Sequence, residues 1–397
     1  MNRPTLEVAD IIRQYGKDFI ERNRSRLSWQ QLKVLRAIEH CRTAVLGGHL
    51  DRCSRCGHRA ISYNSCRNRH CPKCLTNARD HWLAERQKEL LNVGYFHVVF
   101  TLPHELSWLA LQNKKVIYQL LFRASAETLL EIAADPKHLG AQIGFLSVLH
   151  TWGSNLLHHP HVHCVIPAGG LSLDGRQWVH PRYAFLLPVK VLGRVFRGKF
   201  VAGLKSAFYN KELLLPGSLQ ALEGERVFAA FLRKLFRQDW VVYAKPPFGG
   251  PEHVLHYLAR YTHRVAISNH RLLRLTDGQV TFRWKDYAHG NKNRTMTISA
   301  DEFLRRFLLH VLPKGFVRIR FFGFMASRRR TALLPQCQDL LLAPSQPLTS
   351  APAPATAAVV ATWTCPICGG PMVLVERFTA QQIVDPSAGL RSYLDSS

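Results

Sequence analysis

Between Cys41 and Asn77 the chain packs six cysteines, three glycines and many arginines into a stretch with little apolar periodicity. Such a segment cannot hold itself together by burying apolar side chains, so a metal ion is expected to do so. Two of its pairs, Cys53-Ser-Arg-Cys56 and Cys71-Pro-Lys-Cys74, are CxxC knuckles with residues 57–70 between them. This is close to the spacing with which a zinc ribbon gathers four thiolates into a tetrahedron, while N–H groups of each turn donate to the sulfurs. The expected Zn2+ ligands are therefore Cys53, Cys56, Cys71 and Cys74. Cys41, His49, Cys66 and His70 form a candidate second site. A further pair, Cys365-Pro-Ile-Cys368, is half a site, because the residues after it supply no Cys or His, and it needs ligands from elsewhere.

The charge of the chain narrows its partner. Fifty-three Lys and Arg against 27 Asp and Glu leave a formal net charge of +26, which points to a polyanion. Hydrophobic residues make up 47% and aromatic residues 10%, enough for one large core or two ordinary ones, and wholesale disorder is excluded. Apolar runs such as Tyr95 to Phe100 and Leu213 to Pro216 fall far short of the roughly 18 to 20 residues of a membrane span. No membrane partner is expected. The first residues are charged and amphipathic, unlike a secretory leader, so a cytoplasmic, nucleoid-associated protein is expected. In a reducing compartment close cysteine pairs read as metal ligands. Arg52, Arg55, Arg59, Arg67, Arg69 and Lys73 surround the cysteines, as phosphate contacts require.

Along the chain, apolar residues from Leu6 to about His40 recur at three- and four-residue steps with a break near Ser25 to Ser28, which predicts two amphipathic helices. Trp82 to Leu91 reads as helical, and Tyr95 to Leu102, closed by Pro103, as a buried strand. Lys115 to Ala134 is a strong helix, His161 to Ile166 and Trp240 to Ala244 are strands, and Pro251 to Tyr261 is a helix opened by proline. Arg264 to Trp284 contains two strands around the hairpin signal Asp277-Gly278. Strands separated by single helices, with at least one hairpin, predict an α+β sheet domain. The expected organisation is a helical and zinc-binding module over 1–91, a catalytic domain over 92–340, a Pro/Ala-rich linker over 341–362, and a tail over 363–397.

Two motifs carry chemistry. In His161-Val162-His163 the strand alternation points both imidazoles to one face and Val162 into the core. Two neutral imidazoles make a divalent-metal clamp that leaves coordination positions open for a phosphate oxygen. Cys164 falls on the opposite face, as a core residue. In Tyr257-Leu258-Ala259-Arg260-Tyr261 the phenols stand about one helical turn apart on one face, with Arg260, His263 and Arg264 crowding the same stretch. A tyrosine hydroxyl attacks only once its proton is lost, and a polarised phosphate with nearby cations lowers that barrier. The pairing of cations with aromatics in Phe282 to Trp284, with Lys285 next to them, and in Arg318 to Arg330 suits base stacking and phosphate neutralisation.

The strings Cys66-Arg67-Asn68-Arg69-His70-Cys71-Pro72-Lys73-Cys74, His150-Thr151-Trp152-Gly153, His159-Pro160-His161-Val162-His163, Tyr257 to Arg264 and Phe282 to Tyr287, in this order, resemble the two-tyrosine HUH transposases of rolling-circle insertion sequences. The resemblance spans about Val8 to Arg330. It implies an HUH-type antiparallel sheet with flanking helices, preceded by a helical and zinc-binding N-terminal domain. It also implies a single-strand DNA endonuclease and strand transferase using Mg2+ or Mn2+, with His161 and His163 as metal ligands and Tyr257 and Tyr261 as nucleophiles that form 5′-phosphotyrosine intermediates. His159, His150 and His104 are the candidates for a third ligand. Arg67, Arg69, Arg260, Arg264, Trp284 and Lys285 are candidate DNA contacts. A plasmid replication initiator or relaxase of the same chemistry, and a non-catalytic zinc-dependent DNA-binding protein, are the alternatives.

Overall fold

A computed structural model describes residues 5–182, 186–248, 266–286, 289–342 and 363–384. Its centre is a five-stranded sheet whose strands are Tyr95–Thr101 (β1), Gly144–Trp152 (β2), His158–Pro167 (β3), Val242–Phe248 (β4) and Ile319–Gly323 (β5). The spatial order is β5-β2-β3-β1-β4, and every pairing is antiparallel. The histidine strand is therefore the middle one. Together with its flanking helices and the cysteine-rich N-terminal module, this is the α+β architecture that the sequence predicts.

The two faces of this sheet differ. Phe96, Val98 and Phe100 of β1, Val162, Cys164 and Ile166 of β3, and Phe145 and Leu149 of β2 point to one side. There they pack under the helices Lys114–Ala134 and Val189–Tyr209, which contribute Tyr118, Leu121, Phe122, Phe196, Phe200 and Leu204. Cys164 is fully buried in this core, as strand alternation requires. On the other face Tyr95, Leu146, Val148 and Val165 form a small apolar patch, covered in part by Trp82 and Leu83 of the helix Pro72–Gln87. Further along that face stand His97, His150, His161 and His163. β2 is buried along its whole length, so it lacks the alternation that marks a half-exposed strand in sequence.

A second core lies apart from the first. The helices Val8–Arg22 and Trp29–Glu39 form where the apolar periodicity predicts them, and the second is capped by Ser28, whose side chain accepts from the Gln31 N–H. Their buried residues Val8, Ile11, Ile12, Phe19, Val34, Leu35 and Ile38 share a core with Leu272, Val280, Phe282, Phe303, Leu304 and Phe307. The last six belong to a three-stranded sheet, Leu272–Thr276, Gln279–Asp286 and Lys292–Ser299, and to the helix Ala300–Leu309. Asp277 and Gly278, both at positive φ, form the hairpin turn, and the Gly278 N–H donates to the Tyr15 hydroxyl at 3.1 Å. Arg22 and Asp301 add an ion pair at 2.8 Å. A boundary at residue 91 therefore does not separate two cores, because the first helices bury their apolar faces on the C-terminal half of the chain.

The tail is not separate either. Pro371–Phe378 pairs antiparallel with Gly48–Cys53, and the four-stranded sheet they share contains Trp363–Thr364 and Arg59–Tyr63 as well. Among the described residues no helix is long and apolar enough to cross a membrane.

Candidate metal centres and nucleic-acid surface

Antiparallel register brings the histidines together. His150 of β2 lies directly opposite His161 of β3, and His163 is two residues further along on the same face. Ligating atoms of His150, His161 and His163 all lie within 4.8 Å of one another. Burial pushes the His161 imidazole down to about 3, and burial together with the neighbouring imidazoles puts His163 well below the usual histidine range. Both are neutral near pH 7, which is the ligating state. His161 Nδ1–H donates to the His159 carbonyl at 2.7 Å, leaving the Nε2 lone pair for a metal. His163 Nδ1 lies 2.8 Å from Nε2 of His97, which reaches the same face from β1. This is the outer hydrogen bond that fixes a ligating imidazole. These features fit a divalent ion.

Of the three residues expected to compete for the third position, His150 is the one in the cluster. His159 sits at the outer end of the row, its ring centroid 5.2 Å from that of His161. His104 lies in the turn after β1 with its Nδ1 3.4 Å from the Ser107 hydroxyl. His97 was not among the expected residues. Its signal in sequence was its two-residue offset from Val99, which pairs with His163, but that register exists only in the folded sheet.

The cysteines group differently from the expectation. Cys71 and Cys74 do not close a site with Cys53 and Cys56. They join Cys41 and Cys66, with sulfur separations of 3.5 Å for Cys41 to Cys74, 3.5 Å for Cys66 to Cys74 and 3.6 Å for Cys71 to Cys41. Hydrogen bonds from Cys66 and Cys71 pull the Cys41 thiol down to about 7, while the same sharing pushes the thiols of Cys66 and Cys71 up. Cys53 and Cys56 meet Cys365 and Cys368 instead. The reason is geometric: Cys71 stands at the start of the helix Pro72–Gln87 and shares a buried cluster with Cys41 and the helix Trp29–Glu39, whereas Cys53 ends a strand and is buried with Cys365 and Met372. Neither histidine of the candidate second site takes part. His49 Nε2 faces Asp51 at 3.4 Å. His70 is buried, its Nε2 accepting from the Leu312 N–H at 3.1 Å and its Nδ1 donating to Asn68 at 3.1 Å, and burial pushes it down to about 3.

The candidate DNA contacts divide. Arg67 is exposed, as are Arg52, Arg55 and Arg59. Arg69 instead donates to the carbonyls of Pro313, at 2.9 Å, and of Phe316, so its guanidinium is a structural clamp. Phe282 is fully buried against Phe303 and cannot stack on a base. Trp284 packs partly against the second core, and Lys285, next to it, is half-buried. In the stretch from Arg318 to Arg330 most cations are also occupied. Arg318 is buried, Arg320 lies 4.3 Å over the Phe122 ring, and Arg330 pairs with Glu89 at 3.3 Å. Arg328 and Arg329 are exposed at the start of Ser327–Leu341. Tyr257, Tyr261, Arg260 and Arg264 lie outside the described residues, as do residues 343–362 of the expected linker.

Residues 11–102 match a family described as "Transposase zinc-binding domain", and residues 144–332 match one described as "Putative transposase". "Putative transposase y4qJ" of Sinorhizobium fredii is 57% identical over 341 residues, covering 86% of this chain and 85% of that protein. "Transposase for insertion sequence element IS801" of Pseudomonas savastanoi pv. phaseolicola is 29% identical over 348 residues, covering 84% of this chain and 80% of that one. Among solved structures, the relaxase TrwC complexed with a 27-mer DNA overlaps 62% of this chain and 71% of its own at 14% identity, with a TM-score of 0.24.

Proposed function

The chain belongs to the insertion-sequence transposase family that joins this zinc-binding domain to this transposase domain, and from that premise we propose that it cuts and rejoins single-stranded DNA through tyrosine nucleophiles at a divalent-metal centre. The observation that carries the reading is the convergence of His150, His161 and His163 on one sheet face.

In this reading the three imidazoles hold Mg2+ or Mn2+. When bound, the ion supplies Lewis-acid polarisation of a phosphate oxygen at the scissile bond. His97 orients the His163 ring through their hydrogen bond. One of Tyr257 and Tyr261 loses its phenolic proton and attacks phosphorus. The new bond joins the phenolic oxygen to the 5′-phosphate, and the 3′-oxygen leaves and takes up a proton as a free hydroxyl. Because the phosphotyrosine conserves the bond, a 3′-hydroxyl from another end regenerates the phosphodiester and frees the tyrosine. The second tyrosine serves the second transfer. The Cys41, Cys66, Cys71 and Cys74 cluster, inside the matched zinc-binding segment, holds a structural Zn2+. The exposed arginines of the N-terminal module, Arg52, Arg55, Arg59 and Arg67, are proposed to neutralise phosphates of the element end.

The test is to incubate the protein with labelled single-stranded DNA carrying an element end and Mn2+, then look for an SDS-resistant adduct. The wild type should form it, and the double variant Tyr257→Phe/Tyr261→Phe should not. Absence of the adduct from the wild type, or its persistence in the double variant, defeats the mechanism. An adduct without joining to a second end would favour a replication initiator or relaxase.

A further inference from the structure

Residues 363–384 lie beyond both matched family segments, yet they complete a sheet whose other strands belong to the N-terminal module. Strand Pro371–Phe378 runs against Gly48–Cys53 from Cys53↔Met372 to Gly48↔Phe378. At one end of this pairing the two CxxC turns face each other. Cys53 Sγ lies 3.5 Å from Cys368 Sγ, and Cys56 Sγ lies 3.7 Å from Cys365 Sγ. A tetrahedral ion with Zn–S bonds of about 2.3 Å places its sulfurs at ~3.8 Å from one another, so the cluster has nearly the size of its ion.

The two turns are also built alike. In the first, the Gly57 N–H donates to the Cys53 carbonyl at 3.1 Å and the Cys53 N–H to the His58 carbonyl at 2.7 Å. In the second, the Gly369 N–H donates to the Cys365 carbonyl at 2.9 Å and the Cys365 N–H to the Gly370 carbonyl at 2.7 Å. Gly57 and Gly369 occupy the same place in each turn with φ of 75° and 68°. This matched pair of knuckles, supplied by segments more than 300 residues apart, is how a zinc ribbon is assembled. A Cβ added to Gly370 would stand 2.9 Å from Arg55 Cβ, 3.2 Å from Cys53 Sγ and 3.3 Å from Cys368 Sγ, so the backbone there packs directly on the first knuckle and its sulfurs.

We propose that Cys53, Cys56, Cys365 and Cys368 form a four-thiolate structural Zn2+ site, distinct from the Cys41, Cys66, Cys71 and Cys74 site, that clasps the C-terminal strand onto the N-terminal module. Apolar burial cannot do this alone. The buried residues at this junction are Leu50 and Phe378 in one small cluster and Cys53, Cys365 and Met372 in another, while Ile367, Leu374 and Val375 face solvent. The Trp363 indole N–H donates to Asp51 Oδ2 at 3.0 Å, a polar tie between the tail and the module. The metal therefore supplies the free energy that closes the contact.

Elemental analysis of the full chain should give two zinc ions per molecule, falling to one in Cys365→Ser/Cys368→Ser. Retention of two ions in that variant, or loss of both, overturns the proposal. A specific protease site inserted between Ser350 and Ala351 gives a second readout on an otherwise unaltered chain. After cleavage, the fragment from 351 onward should co-elute with the body in size-exclusion chromatography and be released by a zinc chelator. A fragment that stays attached in zinc-free protein means that the strand pairing holds by itself and the clasp is wrong.

Discussion

Nδ1 of His163 and Nε2 of His97 lie 2.8 Å apart across adjacent strands, their ring planes within 6° of each other and their centroids 5.0 Å apart. The contact leaves His163 Nε2 as the nitrogen that serves a metal, and it fixes the ring plane. His97→Ala should therefore lower Mn2+ affinity about 10- to 100-fold, the usual cost of losing such a support. His97→Gln, which keeps a hydrogen-bonding group, should recover part of it. Calorimetric Mn2+ titration of each variant checks this, and unchanged affinity in His97→Ala refutes the support role.

His150→Ala, His161→Ala and His163→Ala should each abolish adduct formation while leaving most of the affinity for single-stranded DNA intact, because phosphate contacts and not the metal supply that affinity. His104→Ala should retain cleavage. Parallel cleavage and binding assays separate the two effects, and an active His150→Ala protein would remove it from the ligand set.

Arg67 and Arg69 are neighbours with opposite duties. Exposed Arg67 should contribute to binding, so Arg67→Ala should reduce the slope of log affinity against log salt by about 0.7 without changing Tm. Arg69 donates to the carbonyls of Pro313 and Phe316. Arg69→Ala should leave them unpaired and cost about 1–3 kcal/mol of stability. The wild-type affinity itself should fall by orders of magnitude between low and physiological salt. Equal salt slopes for Arg67→Ala and the wild type would exclude Arg67 from the interface.

Phe282 fills the second core and makes no contact with nucleic acid in this reading. Phe282→Ala should destabilise the protein by about 3–5 kcal/mol through the cavity it leaves. Denaturant unfolding gives the value, and a loss below about 1 kcal/mol would contradict the packing.

His310 sets a pH dependence. It is buried, with Nε2–H donating to the Leu156 carbonyl at 3.0 Å and Nδ1 3.2 Å from the Thr151 hydroxyl, and burial pushes it down to about 3. The folded protein keeps this ring neutral, whereas the unfolded chain protonates it below about 6.5. The unfolded state thus binds more protons between about pH 6.5 and pH 3, and stability is lost as the pH is lowered through that window, by about 1.4 kcal/mol per unit for this group. Above that window the contribution is constant. His310→Gln should reduce the slope of unfolding free energy between pH 6 and pH 4 by about that amount, and an unchanged slope would show that the ring does not stay neutral in the folded protein.

Whatever depends on local spacing was legible along the chain. Apolar periodicity placed Val8–Arg22, Trp29–Glu39 and Lys114–Ala134, Asp277-Gly278 placed the hairpin, and strand alternation put His161 and His163 on one face with Cys164 on the other. The CxxC turns were legible because a knuckle is a local object. Which of these objects meet depends on the folded sheets. The choice of His150 over His104 and His159 follows from the β2–β3 register, the role of His97 from the β1–β3 register, and the exchange of cysteine partners from a strand that returns from the far end of the chain. The fold also decides which cations serve the protein's own carbonyls and rings and which face outward. The physical reason is that local preferences reach a few residues along the backbone, whereas ligand sets and cores are assembled from segments brought together by strand pairing and burial, whose partners no spacing in the sequence records.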